Sequence, residues 1–317
     1  MFNKNTKKKE IARRIEHCRR TGGKELNLSD LNLSEFPDEI EGFKNLEELN
    51  VSFNPLRSLP DWIGNLTSLK GLDLRENKIK TLPETLGCLS SLEEIYISGN
   101  ITALPESIGN LSSLTSMYLY ETKIKTLPST IGNLSKLKEL CLLRCLEFES
   151  LPDSIGNLRS LESLCIRGGK IAVLPESIGN ITSLTSLEIQ FTPLVNLPES
   201  IGNLVNLKSL GVYSISEDLL YWDYFDDDRP LVYDKIPKKR GPFSGLPDSA
   251  SKLTSLLYLH LSNTEITNLP DYLGNLPALK TLDIIRCKIK TIPPSLQKLA
   301  DSGKLRIMRS IEDLGLG

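Results

Sequence analysis

Two histidines are the residues of this chain best suited to catalysis or to metal binding. His17 lies in a basic segment near the start, and His260 is followed two positions later by Ser262. A serine–histidine pair hydrolyses substrates only when an acid orients the histidine and an oxyanion hole faces the serine, and the surrounding sequence predicts neither. Neither histidine has a cysteine or a second histidine at the spacing of a zinc site, and no phosphate-binding glycine motif occurs. We therefore predict that the chain is not an enzyme and that it has no catalytic residue, no metal and no cofactor.

Tyrosine and arginine are the other residue types here with a clear chemical use. Both are enriched at the centres of protein–protein interfaces, because tyrosine offers a rigid ring with a polar end and arginine offers a planar set of N–H donors. Tyr96 and Tyr118 occupy equivalent places in the sequence, 22 residues apart. This interval indicates that a repeated element positions such side chains.

A proline-containing repeat runs through almost the whole chain. Leu-Pro recurs, with Phe-Pro and Ile-Pro once each, at successive intervals of 23, 23, 22, 23, 24, 23, 23, 49, 23 and 23 residues. A period in this range is typical of solenoids, in which each repeat buries its apolar face by stacking on the next. The prolines are Pro37, Pro60, Pro83, Pro105, Pro128, Pro152, Pro175, Pro198, Pro247, Pro270 and Pro293.

The consensus LxxLxLxxNxIxxLPxxIGNLxx predicts one short strand and one helical turn in each repeat. In the LxL segment the leucines point inward and the intervening residues point outward. Leu-Pro ends the strand because proline fixes φ and lacks an N–H group, and IGNL closes the turn. The slot after the strand holds Asn54, Asn77 and Asn100, whose amides should bond backbone groups of the neighbouring turn. Later repeats have Thr, Cys or Gly in this slot, so we expect a weaker ladder there.

This pattern resembles the leucine-rich repeat family, in particular the 23-residue type of Ras-suppressor and Scribble-like proteins and of bacterial repeat proteins. The resemblance implies an α/β leucine-rich repeat solenoid (a horseshoe) whose parallel, concave β-sheet has about 11–12 strands, with short helical or 3-10 turns on the convex side. It covers residues 24–310, and it implies binding rather than catalysis. We predict a capping helix over 1–23, a twelfth strand over Leu305–Ile307 and a C-terminal tail over 311–317.

The outward positions of the strands predict a binding surface on the concave face. Its centre is aromatic and apolar and is flanked by arginines, which is the composition of an interaction hot spot. Tyrosine also suits a half-exposed sheet for structural reasons alone, so ordinary strand filling is the alternative interpretation. The candidate partner-binding residues of the strands and their ends are Arg75, Tyr96, Tyr118, Tyr120, Leu143, Arg144, Arg167, Gln190, Phe191 and Tyr213.

The 49-residue interval contains an insertion at about 211–241, because it exceeds one 23-residue repeat by 26 residues. Long loops in structured domains are commonly functional. We predict a second contact arm, or a lid, beside the concave face; the alternative is that its aromatic side chains pack down onto the rim. Its candidate contact residues are Tyr221, Trp222, Tyr224 and Phe225.

Composition and charge argue against several classes of partner. The 317 residues carry a net charge of −2, so no basic field attracts nucleic acid. No apolar stretch of about 18 residues predicts a membrane span, and the start lacks the apolar segment of a secretory signal. The six cysteines follow the repeat and should be free thiols, as in a reducing compartment. We predict a cytoplasmic protein, or an effector exported without such a signal, and we favour a monomer over an oligomer.

These observations favour a non-catalytic protein–protein interaction scaffold that binds a protein or peptide partner. The alternative is the substrate-recognition domain of a bacterial effector or ubiquitin-ligase-like enzyme whose catalytic part lies elsewhere, because such repeats also occur beside enzymatic domains. In the scaffold hypothesis, the insertion at 211–241 is a second contact arm.

Overall fold

The computed structural model describes residues 4–213 and 241–309, with side chains from residue 6 onward. The chain divides into two compact units, Met1–Leu161 and Glu162–Gly317. We call them the N-terminal half and the C-terminal half and describe each by itself.

The N-terminal half consists of one α-helix and six parallel strands. Helix α1 spans Lys4–Arg20. The strands are β1 (Glu25–Asn27), β2 (Glu48–Asn50), β3 (Gly71–Leu74), β4 (Glu94–Ser98), β5 (Ser116–Tyr120) and β6 (Glu139–Leu143). Consecutive strands pair in register, so residues about 23 positions apart lie side by side, as Leu49 does beside Leu72.

The C-terminal half repeats this arrangement, with an α-helix before its last strand. Its strands are β7 (Ser163–Arg167), β8 (Ser186–Gln190), β9 (Ser209–Tyr213), β10 (Tyr258–His260), β11 (Thr281–Asp283) and β12 (Arg306–Met308), and helix α2 spans Pro294–Asp301. The prediction of a twelfth strand is confirmed, one residue later than expected. The leucine-rich repeat solenoid is therefore the fold of this chain.

The insertion does not interrupt the sheet of the C-terminal half. Strands β9 and β10 pair directly, with Leu210 opposite Leu259. The first three residues that the sequence analysis assigned to the insertion, 211–213, belong to β9. After the undescribed residues 214–240, the N–H of Gly241 donates to the carbonyl oxygen of Asn263 at 2.9 Å, which returns the chain to the repeat.

A short 3-10 helix follows each of ten repeat prolines, as Leu-Pro predicts. The proline lies at the N-cap with φ between −63° and −72°, a value that its ring imposes. In the N-terminal half these helices are Asp38–Gly42, Asp61–Asn65, Glu84–Cys88, Glu106–Asn110, Ser129–Asn133 and Asp153–Asn157. In the C-terminal half they are Glu176–Asn180, Glu199–Asn203, Asp248–Lys252 and Asp271–Asn275.

The consensus leucines and isoleucines form the core between the strands and the 3-10 helices. In one repeat, Leu74, Ile79, Leu86 and Leu89 are all inaccessible to solvent. Each such side chain contributes about 1.5–3 kcal/mol on burial. Because every repeat supplies the same set, the core continues from one repeat to the next within each half.

Helix α1 covers the outer edge of β1. Ile15 and Cys18 are buried, while Ile11 is only half-buried. The guanidinium of Arg14 donates to the backbone oxygen of Asn27 at 3.0 Å, which supplies a partner at the edge of β1 that no other described strand covers. In residues 4–213 and 241–309, no helix combines the length and apolar character that a membrane crossing needs.

A buried asparagine ladder joins the first repeats. The side-chain oxygen of Asn54 accepts hydrogen bonds from the N–H groups of Leu31 and Leu33 at 3.1 and 2.8 Å, and its amide donates to the oxygen of Leu28 at 2.8 Å. Asn77 repeats this one turn later. The amide thus satisfies backbone groups that the strands leave unpaired.

The prediction that Asn100 is the third member of the asparagine ladder is wrong. Asn100 is exposed to solvent. Its repeat is one residue shorter than its neighbours, and Asn100 directly precedes the buried Ile101, whereas one residue separates Asn77 from Ile79. With no intervening residue, the chain cannot turn both side chains inward.

The glycine of IGN lets successive 3-10 helices approach closely. A Cβ atom on Gly109 would lie 2.6 Å from the Cβ of Thr130 and still closer to its carbonyl oxygen. The same collision would occur at Gly132 and Gly179, against Ser154 and Ser200. Any side chain there would force the stacked turns apart.

We expect Gly109→Ala to destabilise the protein by about 1–3 kcal/mol, because overpacking against backbone cannot be relieved by a rotamer change. Gly42→Ala is the control, since Gly42 lies one place later in its own 3-10 helix, at the position of Asn110, and no atom lies within 4 Å of a Cβ there. Urea unfolding followed by circular dichroism measures both. Equal effects of the two substitutions would contradict the close-approach argument.

We expect Asn54→Ala to cost about 2–4 kcal/mol, because it leaves several buried backbone groups without partners. Asn100→Ala should change stability by less than about 0.5 kcal/mol, as is usual for an exposed site. The free energies of unfolding of the two variants, measured in urea, decide the matter. A large loss of unfolding free energy in Asn100→Ala would show that Asn100 does belong to the ladder.

Candidate functional site

In each half, the outward side chains of the strands form a surface that we call the sheet face. On β4, for example, Ile95 and Ile97 are fully buried while Tyr96 between them is half-buried. The alternation follows from the pleat of the strand. The predicted binding residues of the strands lie on this face.

Three tyrosines on β4 and β5 form a stack that we call the tyrosine row. The ring centroids of Tyr96 and Tyr118 are 4.8 Å apart with an interplanar angle of 5°, and Tyr118 and Tyr120 are 6.4 Å apart at 20°. Tyr96 lies opposite Tyr118 in the ladder, so the spacing of parallel strands sets the ring separation. Stacked pairs of this kind contribute about 0.5–1.5 kcal/mol beyond the area they bury.

Two glutamates fix the hydroxyl groups of the tyrosine row. Tyr96 donates to the carboxylate of Glu94 at 3.2 Å, and Tyr118 donates to Glu139. Burial and the neighbouring carboxylate raise the pKa of each tyrosine above its usual value, so both hydroxyls stay protonated donors. These glutamates were not among the predicted site residues. Glu94 lies at the start of β4, one outward place before Tyr96, and Glu139 holds the same position at the start of β6, beside the strand of Tyr118.

Arg75 caps one end of the tyrosine row. Its guanidinium lies 5.0 Å from the centroid of the Tyr96 ring. Two hydrogen bonds hold it there, from Nε to Oδ1 of Asp73 at 3.0 Å and from a terminal nitrogen to Oδ2 at 2.7 Å. This paired geometry is typical of arginine with a carboxylate. The structure therefore brings Arg75, Tyr96, Tyr118 and Tyr120 together.

The two other candidates of the N-terminal half lie at the end of β6. Leu143 shares the sheet face with Tyr120, but only 4% of its surface is exposed, so it offers little contact area. Arg144 follows in a left-handed conformation with φ of 58°, and its guanidinium contacts the carboxylate of Glu121. Arg144 therefore lies at the edge of the sheet face.

The candidates of the C-terminal half form a polar chain across three strands. Arg167 donates to the side-chain oxygen of Gln190 at 2.8 Å, and the amide of Gln190 donates to the hydroxyl of Tyr213. Gln190 is 3% exposed, whereas Arg167 and Tyr213 are half-buried. Gln190 therefore connects two accessible side chains. Phe191 follows β8 in a left-handed conformation and is partly exposed.

His260 extends this surface to β10, and the structure places an acid beside it. Its Nδ1 lies 3.7 Å from Oδ2 of Asp283, the residue opposite it in the ladder. Interaction with Asp283, and next the charge of Glu188, raise the pKa of His260. Burial works to raise the pKa of Asp283, but the bond to His260 helps to lower it overall. The expectation of no orienting acid was wrong, because strand register brings in a residue 23 positions away.

This pair does not complete a hydrolytic site. Ser262 is 7% exposed, so a substrate could not reach its hydroxyl, and that hydroxyl makes no hydrogen bond to His260. Within the described part of the chain, no three His, Cys, Asp or Glu side chains are arranged to hold a metal ion. The arrangement is suited to hydrogen bonding and to packing against another molecule.

The insertion candidates lie outside the described residues. They are Tyr221, Trp222, Tyr224 and Phe225. Their role as a second contact surface stays a prediction.

Several family models match the repeat region. They are described as leucine-rich repeat region (residues 96–167 and 142–220), leucine rich repeat (58–101), leucine rich repeats in two copies (254–298) and leucine rich repeat (45–66). Together they span residues 45–220 and 254–298. No curated protein sequence matches the chain.

Solved structures share the fold at low sequence identity. The functional domain of InlJ from Listeria monocytogenes matches with a TM-score of 0.65 and 18% identity, over 90% of this chain and 53% of that one. Toll in the Drosophila Toll–Spatzle complex matches with a TM-score of 0.64 and 22% identity, over 86% and 39%. The internalin InlF of Listeria monocytogenes matches with a TM-score of 0.54 and 21% identity, over 90% and 86%. These matches indicate a common fold.

We expect the contribution of His260 to stability to depend on pH. Because its folded pKa is raised, the stabilisation is complete below the unfolded value of 6.5 and is lost as pH rises through the folded pKa. His260→Gln should therefore cost roughly 0.5–1 kcal/mol more at pH 5.5 than at pH 8.5. Urea unfolding at the two pH values measures this difference. In an Asp283→Asn background the difference should shrink, and its persistence would show that Asp283 is not the partner.

Proposed function

The chain belongs to the leucine-rich repeat family, and from this premise and its sheet face we infer that it is a non-catalytic scaffold that binds a protein or peptide. The tyrosine row is the observation that carries the proposal. Its rings are partly accessible and lie on β4 and β5, each of which has a paired strand on both sides. Nothing in a solenoid of this type packs on the sheet face from within the repeat itself.

The tyrosine row is rigid before any partner arrives. Stacking restrains the rings of Tyr96 and Tyr118, and the carboxylates of Glu94 and Glu139 restrain their hydroxyls. A side chain that is already ordered loses little conformational entropy on binding, which costs about 0.5–1.5 kcal/mol for a mobile one. Pre-ordered tyrosines are therefore efficient contact residues.

The remaining predicted site residues have different parts in this proposal. Arg75 and Arg144 border the row, and Arg167, Phe191 and Tyr213 offer contacts in the C-terminal half. Leu143 and Gln190 are too buried to contribute much area, so they support the residues around them. The insertion residues Tyr221, Trp222, Tyr224 and Phe225 would form the second contact arm.

A protein is the class of partner that the fold favours. In the Drosophila structure with this fold, Toll is in complex with Spatzle. We propose that the protein is monomeric. We also propose that it is cytoplasmic, because free cysteines are typical of a reducing compartment. Nothing in the described residues favours the alternative of a substrate-recognition domain of an effector or ligase, which stays a prediction.

We expect Tyr118→Ala to weaken partner binding about 10–100-fold, because it removes the central ring of the row. Wild type and variant would be used as bait in affinity purification, and the dissociation constant of each recovered protein would then be measured by calorimetry. Tyr272→Ala is the control, since Tyr272 lies in the 3-10 helix Asp271–Asn275 on the other side of the repeat. Recovered partners that bind wild type and Tyr118→Ala equally, but lose affinity for Tyr272→Ala, would overturn the proposal.

A further inference from the structure

Two neighbouring rows of charged residues at the start of the strands behave differently in the N-terminal half. In the first row, Glu47 lies between two lysines, with Lys24 Nζ at 2.6 Å and Lys70 Nζ at 2.7 Å from its carboxylate oxygens. The hydrogen bond from Lys24, and then that from Lys70, lower the pKa of Glu47 to about 2. The charge of Glu47 in this row is therefore neutralised by the lysines beside it.

The second row lies one residue later, on the sheet face, and is not neutralised. Glu25, Glu48 and Glu94 occupy the same register position on β1, β2 and β4, with Gly71 between the last two. Glu139 holds this position on β6. In residues 4–213 and 241–309, no ion pair links these four glutamates to a lysine, arginine or histidine. We call them the glutamate row.

The fold holds the negative charges of the glutamate row close together. The carboxylate of Glu48 lies over the backbone of Gly71, since a Cβ atom there would be 2.8 Å from its Cδ. Glu48 thus leans along the row in the direction of Glu94. Partial burial, and then the charges of Glu94 and Glu25, raise the pKa of Glu48. Like charges held this way destabilise the isolated protein at neutral pH.

The glutamate row adjoins the tyrosine row, and its carboxylates have unused positions for accepting hydrogen bonds. Glu94 accepts the hydroxyl hydrogen of Tyr96, and Glu139 accepts that of Tyr118, each through one oxygen. A carboxylate has about four acceptor positions, so each can also bind an incoming ammonium or guanidinium group. Arg75, packed over Tyr96 at 5.0 Å, shows that a guanidinium fits against these rings.

We infer that the sheet face of the N-terminal half binds a positively charged segment of a partner protein, whose lysine or arginine side chains contact Glu48 and Glu94 beside the tyrosine row. The inference rests on the proposed function of the sheet face and adds the chemical class of the partner. Charge complementarity is its basis: binding relieves the repulsion within the glutamate row, whereas an acidic segment would increase it. The paired row around Glu47 gains nothing from such a partner.

A peptide-display selection on the purified full-length protein tests this inference without knowledge of the natural partner. Random twelve-residue peptides selected on wild type should be enriched in lysine and arginine over the starting library. Their dissociation constants should rise at least about tenfold for E48Q/E94Q and should rise with salt, because exposed charges are screened. The matched control is E47Q/E93Q, which removes the same charge from the neighbouring row and should bind as wild type does.

The outcomes separate this inference from the proposed function. Selected peptides without basic enrichment that lose affinity for Tyr118→Ala but not for E48Q/E94Q would overturn the cationic partner and leave sheet-face binding in place. Peptides unaffected by all of these variants would overturn both. Equal losses in E48Q/E94Q and E47Q/E93Q would indicate general charge attraction and would also overturn the inference.

A second measurement needs no ligand. Because E48Q removes a repelled charge and E47Q removes a paired one, E48Q should raise the melting temperature at low salt and E47Q should lower it. A lower melting temperature for E48Q would contradict the repulsion on which the inference rests.

Discussion

The close stacking of one repeat on the next is the constraint on which the rest of this structure depends. Glycine in the IGN turn lets the 3-10 helices meet at a distance that any side chain would prevent, as at Gly109 against Thr130. On the other side, parallel strands pair at about 4.8 Å. With both sides held, residues 22–24 positions apart in sequence become neighbours in space, whatever their chemistry.

The chemistry of the sheet face follows from this side-by-side placement of residues one repeat apart. A tyrosine repeated after 22 residues produces a stack, and an acid placed 23 residues after a histidine produces the His260–Asp283 pair. The same rule makes charge patterns accumulate. Lysine alternating with glutamate gives the self-neutralising row around Glu47, whereas glutamate repeated in the next position gives a row with uncompensated negative charge. Small changes in a repeat therefore have large effects on the surface.

The sequence predicted well wherever one repeat contains all the information. The buried leucines, the 3-10 helices after ten of the repeat prolines and the bonds of Asn54 and Asn77 depend on local chemistry that recurs. The prediction was wrong at Asn100, because a single missing residue removed the spacing that turns the side chain inward. It also overestimated the contact area of Leu143 and Gln190, since burial of an outward side chain depends on the size of its neighbours on adjacent strands.

By itself, the sequence determined the repeat, its strand and turn, and the position of each candidate side chain on the sheet face, because these depend on a period and an alternation that are visible in one dimension. The tertiary structure decided which of those side chains interact. Glu94 and Glu139 became partners of tyrosines, Asp283 became the partner of His260, and Glu48 came to lie over Gly71. These relations depend on rotamers and on distances between strands, which no periodicity specifies. They determine whether a row of like residues is a neutral surface or a charged binding site.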